Sequence, residues 1–348
     1  MRPQALSRIV FLPLLCLFFF ASASSAQEVT SSIPLPVFEF HSGFWLNLHH
    51  TLYREARLKR DSRSAANETL LPGLTPAEQR VWQSAVAYYS QNYAGKDLYF
   101  SLEMVLIKNQ LGDFETCPDL SGVSRRTCDA GLPPGLTRAL QTAAPVYRAH
   151  LWPEHDKINR RWIFSVAPLV RQNGLGLSHR LAEIYQTDWP KDRIRVDVTN
   201  FATSQGAYTT LDPLRLTIDS TDPRNQGAEA LEVLFHEASL GISNNVQDSI
   251  ILECHQRNIP IPRDLWHALL FYTAGKVIRS AVTPSPKPSN GGGDAPPPTP
   301  IDAPYSLREG LYNRGWQEYY RVLNDYWQPY LDGRVGFEDA IAHMVSAL

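Results

Sequence analysis

Across 348 residues the chain sets 33 Lys+Arg against 35 Asp+Glu, a formal net charge of −2. That balance argues against a nucleic-acid binder, which needs a basic face, and an aromatic content of 11% argues against a disordered chain. The length is enough for one large domain or two small ones with a sizeable core.

Residues 1–26 read as a secretory leader. Arg2 and Arg8 make a positive start, residues 9–20 form an apolar run, and Ala21-Ser-Ala-Ser-Ser-Ala26 supplies small residues for cleavage. The run falls short of the roughly 20 residues a bilayer span needs. Cys16 lacks the small residues that precede a lipid-modified cysteine. No later stretch reads as a membrane span, so the product is expected to be exported, periplasmic or extracellular, after cleavage near Ala26. Losing Arg2 and Arg8 takes its formal charge to about −4.

Residues 27–41 are a polar, proline-containing lead-in. From Ser42 a helix is expected, with Phe44, Trp45, Leu48 and Leu52 as its apolar stripe. His41, His49 and His50 cluster there, as boundary residues or as outer partners of a metal site. Asn67-Glu-Thr69 would accept a glycan if the source glycosylates. Thr75-Pro-Ala-Glu78 predicts a capped helix start, running to about Tyr93 and stopping at Gly95. Another helix is expected over residues 98–111, ending at Gly112.

Cys117 and Cys128 flank a loop-like stretch, which in an exported chain predicts a disulfide. Cys254 is left over, either a buried thiol or a metal-binding partner of His255. Helical segments follow near residues 135–151, 153–173 and 175–187. His150, Trp152, His155, Asp156 and Arg160 gather there, but the two histidines are five apart across a proline and share no clean helix face.

The period then changes to two. Ile194, Val196 and Val198 alternate with Arg195, Asp197 and Thr199, which predicts a half-buried strand. Leu214, Leu216 and Ile218 repeat the pattern, and residues 207–211 can add a short strand between them. A turn at residues 222–227 leads into Glu-Ala-Leu-Glu-Val-Leu-Phe-His-Glu-Ala-Ser-Leu, residues 229–240, an amphipathic helix carrying His236 and Glu237. A less clear helix over residues 244–255 precedes one from Leu265 to about Val282, capped by Asp264 and bearing His267. Eight of residues 283–304 are proline and three are consecutive glycines, which marks an exposed insertion. More helix is expected over residues 305–330 and 337–348.

The expected fold class is therefore α-rich α+β, many helices plus a small sheet preceding the motif helix. The chain divides into a leader (1–26), a helical part (27–190), a part with the strands, the motif helix and a second helix (191–282), the insertion (283–304), and C-terminal helices packing on the same domain (305–348).

Phe235-His-Glu-Ala-Ser-Leu240 resembles the Phe-His-Glu-Ala-Ser-His form of the zincin-type metallopeptidase motif, His-Glu-x-x-His, with Leu240 in place of the second histidine. Leu265-Trp-His-Ala-Leu-Leu-Phe-Tyr-Thr-Ala-Gly275 is similar to a second helix of a zincin-like group of exported bacterial proteins. The resemblance covers residues 191–282. It implies zinc as cofactor, His236 as first ligand, Glu237 as the base that takes a proton from the bound water, and His267 as a downstream ligand, with Glu253 as its alternative. Tyr272 would polarise a carbonyl of a peptide or protein substrate. Leucine offers no lone pair, and Glu232, one turn before His236, would shift the metal away from Glu237. The expectation is a zincin-like protein with weak or no zinc binding and impaired catalysis. Two alternatives stay open: an active metal-dependent hydrolase using His236, His267 and an unidentified third ligand, and a non-catalytic exported helical protein that binds or supports a partner.

Overall fold

The computed structural model describes residues 33–61, 71–120, 128, 131–282 and 303–348. The leader, the Asn67 acceptor and all but the last two residues of the insertion lie outside the described residues. The fold is an α-rich α+β arrangement. A five-stranded sheet in the order β1-β2-β3-β5-β4 separates two layers of helices.

The strands are β1 (Ile33–Pro34), β2 (Phe38–His41), β3 (Ile194–Thr199), β4 (Ala207–Thr210) and β5 (Arg215–Asp219). β2, β3 and β5 run parallel, while β1 and β4 are antiparallel edges. β3, β4 and β5 match the alternating pattern. β1 and β2 were not expected: four residues in a proline-flanked lead-in carry too little periodicity to announce a strand. The register Phe38↔Ile194 and Phe40↔Val196 puts β2 beside the strand that the sequence showed clearly.

One layer holds α1 (Phe44–Asp61), α2 (Pro76–Asn92), α3 (Leu102–Asp113) and α4 (Pro134–His150). Thr75 and Glu78 close the expected capping box at α2. α3 starts later than its pattern suggested, because the Asp97 carboxylate accepts from the Tyr99 and Phe100 amides and holds those residues in a turn. Cys117 and Cys128 form the expected disulfide, and Cys254 is a buried free thiol.

The other layer holds α5 (Trp152–Tyr185), α6 (Gly227–Ser239), α7 (Asn244–Arg257) and α8 (Leu265–Val282). α5 is one helix of 34 residues where the sequence suggested two. Pro168 and Gly174 sit inside it, and Gly174 is useful there: a Cβ would stand 3.1 Å from Val37. α5 packs on α6 and α8, and all of its buried apolar side chains except Trp152 belong to the core on that side of the sheet. The C-terminal stretch is broken helix rather than one long one: α9 (Tyr305–Arg308), α10 (Gln317–Val322), a π-helical turn Leu323–Trp327, α11 (Gln328–Leu331) and α12 (Phe337–Ser346).

The two faces of the sheet differ. Phe38, Phe40, Val196, Val198, Leu216 and Ile218 point into the core shared with α5, α6 and α8. The opposite face carries Arg195, Asp197, Thr199, Thr217 and Tyr208, and it is buried as well, under α1 and α3. The alternation had suggested strands with one solvated face; here α1 and α3 replace the solvent.

Candidate functional site

α6 enters from a 3-10 turn, Pro223–Asn225, whose Asp222 side chain accepts from the Arg224 amide. Its Ala230, Leu231, Leu234, Phe235 and Ala238 are buried in the core. The helix ends at Ser239, and Leu240 begins a 3-10 turn, Leu240–Ile242. His236 and Glu237 thus lie in the last turn of α6, His236 almost fully buried and Glu237 half-buried.

α8 crosses α6 and brings His267 to His236, with the two Nε2 atoms 3.3 Å apart. Phe271, one turn beyond His267, stacks on the His236 ring at a centroid distance of 3.4 Å. Trp316 packs edge-on against His267. Burial among these rings holds His236 well below the usual imidazole range, and neighbouring His267 pushes the same way. Burial also lowers His267, with Asp264 opposing. Burial pushes Glu237 up to about 7, while the Thr209 hydroxyl pulls it down by donating to Oε2 at 2.6 Å. Thr209 is opposite Leu216 in the β4–β5 register, so it leaves the edge strand on the α6 side.

His236, Glu237 and His267 line one cavity of about 580 Å³, together with Thr209, Tyr208, Leu240 and Phe271. Tyr305, Leu311, Arg314 and Trp316, from beyond the insertion, make another wall. The structure therefore brings together the three residues singled out from the sequence. It does not bring in the alternatives. Glu253 pairs with Arg257 on α7 and Tyr272 donates to Gln328 at 2.8 Å; neither lines the cavity. His49 meets the Tyr89 hydroxyl and His50 that of Tyr208. His150 meets Glu78 and His155 meets Tyr147.

Glu232 is committed elsewhere. Its Oε1 accepts from Arg279, and its Oε2 from the Tyr305 amide at 2.6 Å. Burial nonetheless pushes it up to about 7, against the pull of Arg279. Gly275 makes this docking possible, since a Cβ there would stand 2.6 Å from Pro304. Glu229 pairs with both Arg279 and Arg308. The motif helix thus anchors the segment that walls its own cavity.

Tested as a zinc site, the residues go two thirds of the way. Two imidazole nitrogens on a tetrahedral ion at about 2.0–2.1 Å are about 3.3–3.4 Å apart, which matches His236 and His267. A catalytic zinc takes three protein ligands, and among the described residues no group of three His, Cys, Asp or Glu side chains could hold a metal ion. Leu240 lines the cavity one turn after His236, where the motif has its second histidine. Among the described residues the buried His236 Nδ1 has no hydrogen-bond partner, whereas a zinc-bound histidine donates its other ring N–H to an oxygen. The donor set does not fit a catalytic zinc.

The sequence had a usable signal for Phe271, which follows His267 at helical spacing, and for Thr209, which lay in a suspected strand. It had none for Tyr305, Arg314 and Trp316, which reach the site from across the insertion. Comparisons of the chain with protein-family models, with curated proteins and with solved structures find no match.

Proposed function

We propose that this chain is an exported zincin-like protein whose metal centre is incomplete. Zinc is held weakly or not at all, hydrolysis is impaired, and a ligand-binding cavity remains. The observation that carries the reading is the 3.3 Å approach of His236 and His267 beside Glu237 in one cavity. A lone His-Glu pair on a helix arises readily by chance. A second histidine delivered from another helix, at a spacing two zinc ligands would have, is harder to obtain without a metal-binding ancestry. No helix among the described residues is long and apolar enough to cross a membrane.

The test is zinc content of unchelated protein, in the native chain and in Leu240→His. The native chain should carry far less than one equivalent. Leu240→His should approach one equivalent, lose it again when His267→Ala is added, and gain measurable peptide hydrolysis. A Leu240→His protein that folds but gains neither metal nor activity would remove the main support for the zincin-like reading. Stoichiometric zinc in the native chain, lost in His236→Ala, would favour an active enzyme with a third ligand yet to be found.

A further inference from the structure

The cavity has a distinctive wall once the histidine pair is set aside. Tyr99, Phe271, Tyr305 and Trp316 give it aromatic sides, and Leu240 and Leu311 add apolar lining. Pockets of this size and lining bind small organic molecules through their apolar bodies and orient them with a few polar groups.

Two arginines line it, and they differ. Arg224 is engaged: Nη2 reaches Asp222 at 2.5 Å and the Ser204 carbonyl at 2.8 Å. Arg314 is exposed; among the described residues it donates only to the Glu309 carbonyl, at 2.9 Å, and has no carboxylate within ion-pair distance. The acid in the wall, Glu237, takes the Thr209 hydroxyl. Arg314 is therefore a guanidinium with donors to spare beside an aromatic chamber. Its planar fork matches a carboxylate or sulfonate.

We infer that this cavity takes an amphipathic organic anion, its aromatic or apolar body among the ring side chains and its acidic head on Arg314. The inference rests on the proposed survival of a binding cavity, and it names the ligand class. Zinc is not required for it. Leu240, which removes a ligand from the metal centre, adds apolar wall to the chamber, so one substitution serves both readings. A second cavity of about 370 Å³ shares Tyr99, Ser204 and Gln205 with the first.

The experiment is a fluorescence titration of the full chain with 1-anilinonaphthalene-8-sulfonate and with its uncharged relative N-phenyl-1-naphthylamine. Both should bind saturably at one site. Arg314→Gln should weaken the sulfonate by about tenfold, the effect of one charge-assisted contact, and leave the uncharged probe within about twofold. Filling the chamber with Leu311→Trp should weaken both probes. Leu240→Trp repeats that test from another wall, and circular dichroism verifies that each variant is folded. Equal sulfonate affinity in the native and Arg314→Gln proteins overturns the inference. So does binding that neither chamber-filling variant reduces, and so does the absence of saturable binding. These outcomes are independent of whether Leu240→His gains zinc, so the ligand class and the zincin-like reading can fail separately.

Discussion

The two faces of the central sheet are both buried, yet they are held by different physics. The face toward α5, α6 and α8 is apolar, and its contribution scales with the area it removes from water. The face toward α1 and α3 is a polar network. Lys108 is fully buried, with Nζ donating to Thr210 Oγ1 at 2.9 Å and lying 3.9 Å from Asp197. Asp197 takes Arg195 at 2.7 Å, Arg195 reaches Glu115 at 2.9 Å, and Glu115 accepts from His41 at 2.7 Å. His50 must carry its proton on Nδ1, since the Leu46 carbonyl can only accept; its Nε2 then accepts from the Tyr208 hydroxyl. The apolar face should tolerate apolar swaps that conserve volume. The polar face tolerates few substitutions, because each charge depends on a named partner.

The largest effect should come from removing one such partner. Asp197→Ala leaves Lys108 and Arg195 close together without the acid they share, and should cost about 3–5 kcal/mol in a chemical denaturation experiment. On the apolar face, Leu216→Ala should cost about 2–5 kcal/mol. The contrast sharpens with near-isosteric changes. Leu216→Met should cost less than about 1.5 kcal/mol, whereas Asp197→Asn, which keeps the shape and loses the charge, should stay close to the alanine value. Equal tolerance of the two near-isosteric variants would break the comparison.

A smaller effect should appear in the pH dependence of stability. Burial lowers His50 and His155 to about 4 and holds His49 and His236 well below the usual range. The unfolded chain then binds more protons than the folded one below about 6.5, so stability present above that pH is lost as pH falls toward 4. Glu232 and Glu237, raised to about 7, act in the opposite sense: the folded state holds their protons between about 4.5 and 7, which favours folding as pH falls through that window. With His267 also lowered, five histidines outnumber two raised glutamates, so the melting temperature should fall on acidification from pH 6.5 to 4.5. Glu232→Gln removes one opposing group and should steepen that fall. An unchanged or shallower slope would show that Glu232 does not hold a proton in the folded state.

Legibility followed the range of the interaction. The Thr75–Glu78 box, the span of α8 and the strands β3 and β5 rest on neighbours in sequence, and their patterns were readable. The pairing of Cys117 with Cys128 needed only a short loop and the expectation of export. His236 and His267 were singled out on a resemblance, and the α6–α8 crossing places them together. β2 was missed because its partner, β3, lies beyond five helices. The burial of Arg195 and Asp197 was missed because a period of two reports polarity, not exposure; Lys108 and His50, which replace solvent, are remote in sequence. The walls from Tyr305 to Trp316 are remote in sequence for the same reason, and so is the Tyr305 amide that occupies Glu232.

The parallel register of Phe38 with Ile194 has a consequence for how the molecule comes into being. A parallel pair cannot close through a hairpin, and here the connection contains α1 through α5. A nascent chain makes β2 early and must carry the edge that will face β3 unpaired until β3 has emerged. Contacts so distant along the chain are slow to form, and an unpaired strand edge invites association with other chains. The helices α1 to α4 have their own core and can form first. The pairing of β2 with β3 therefore cannot form before the chain has passed residue 199.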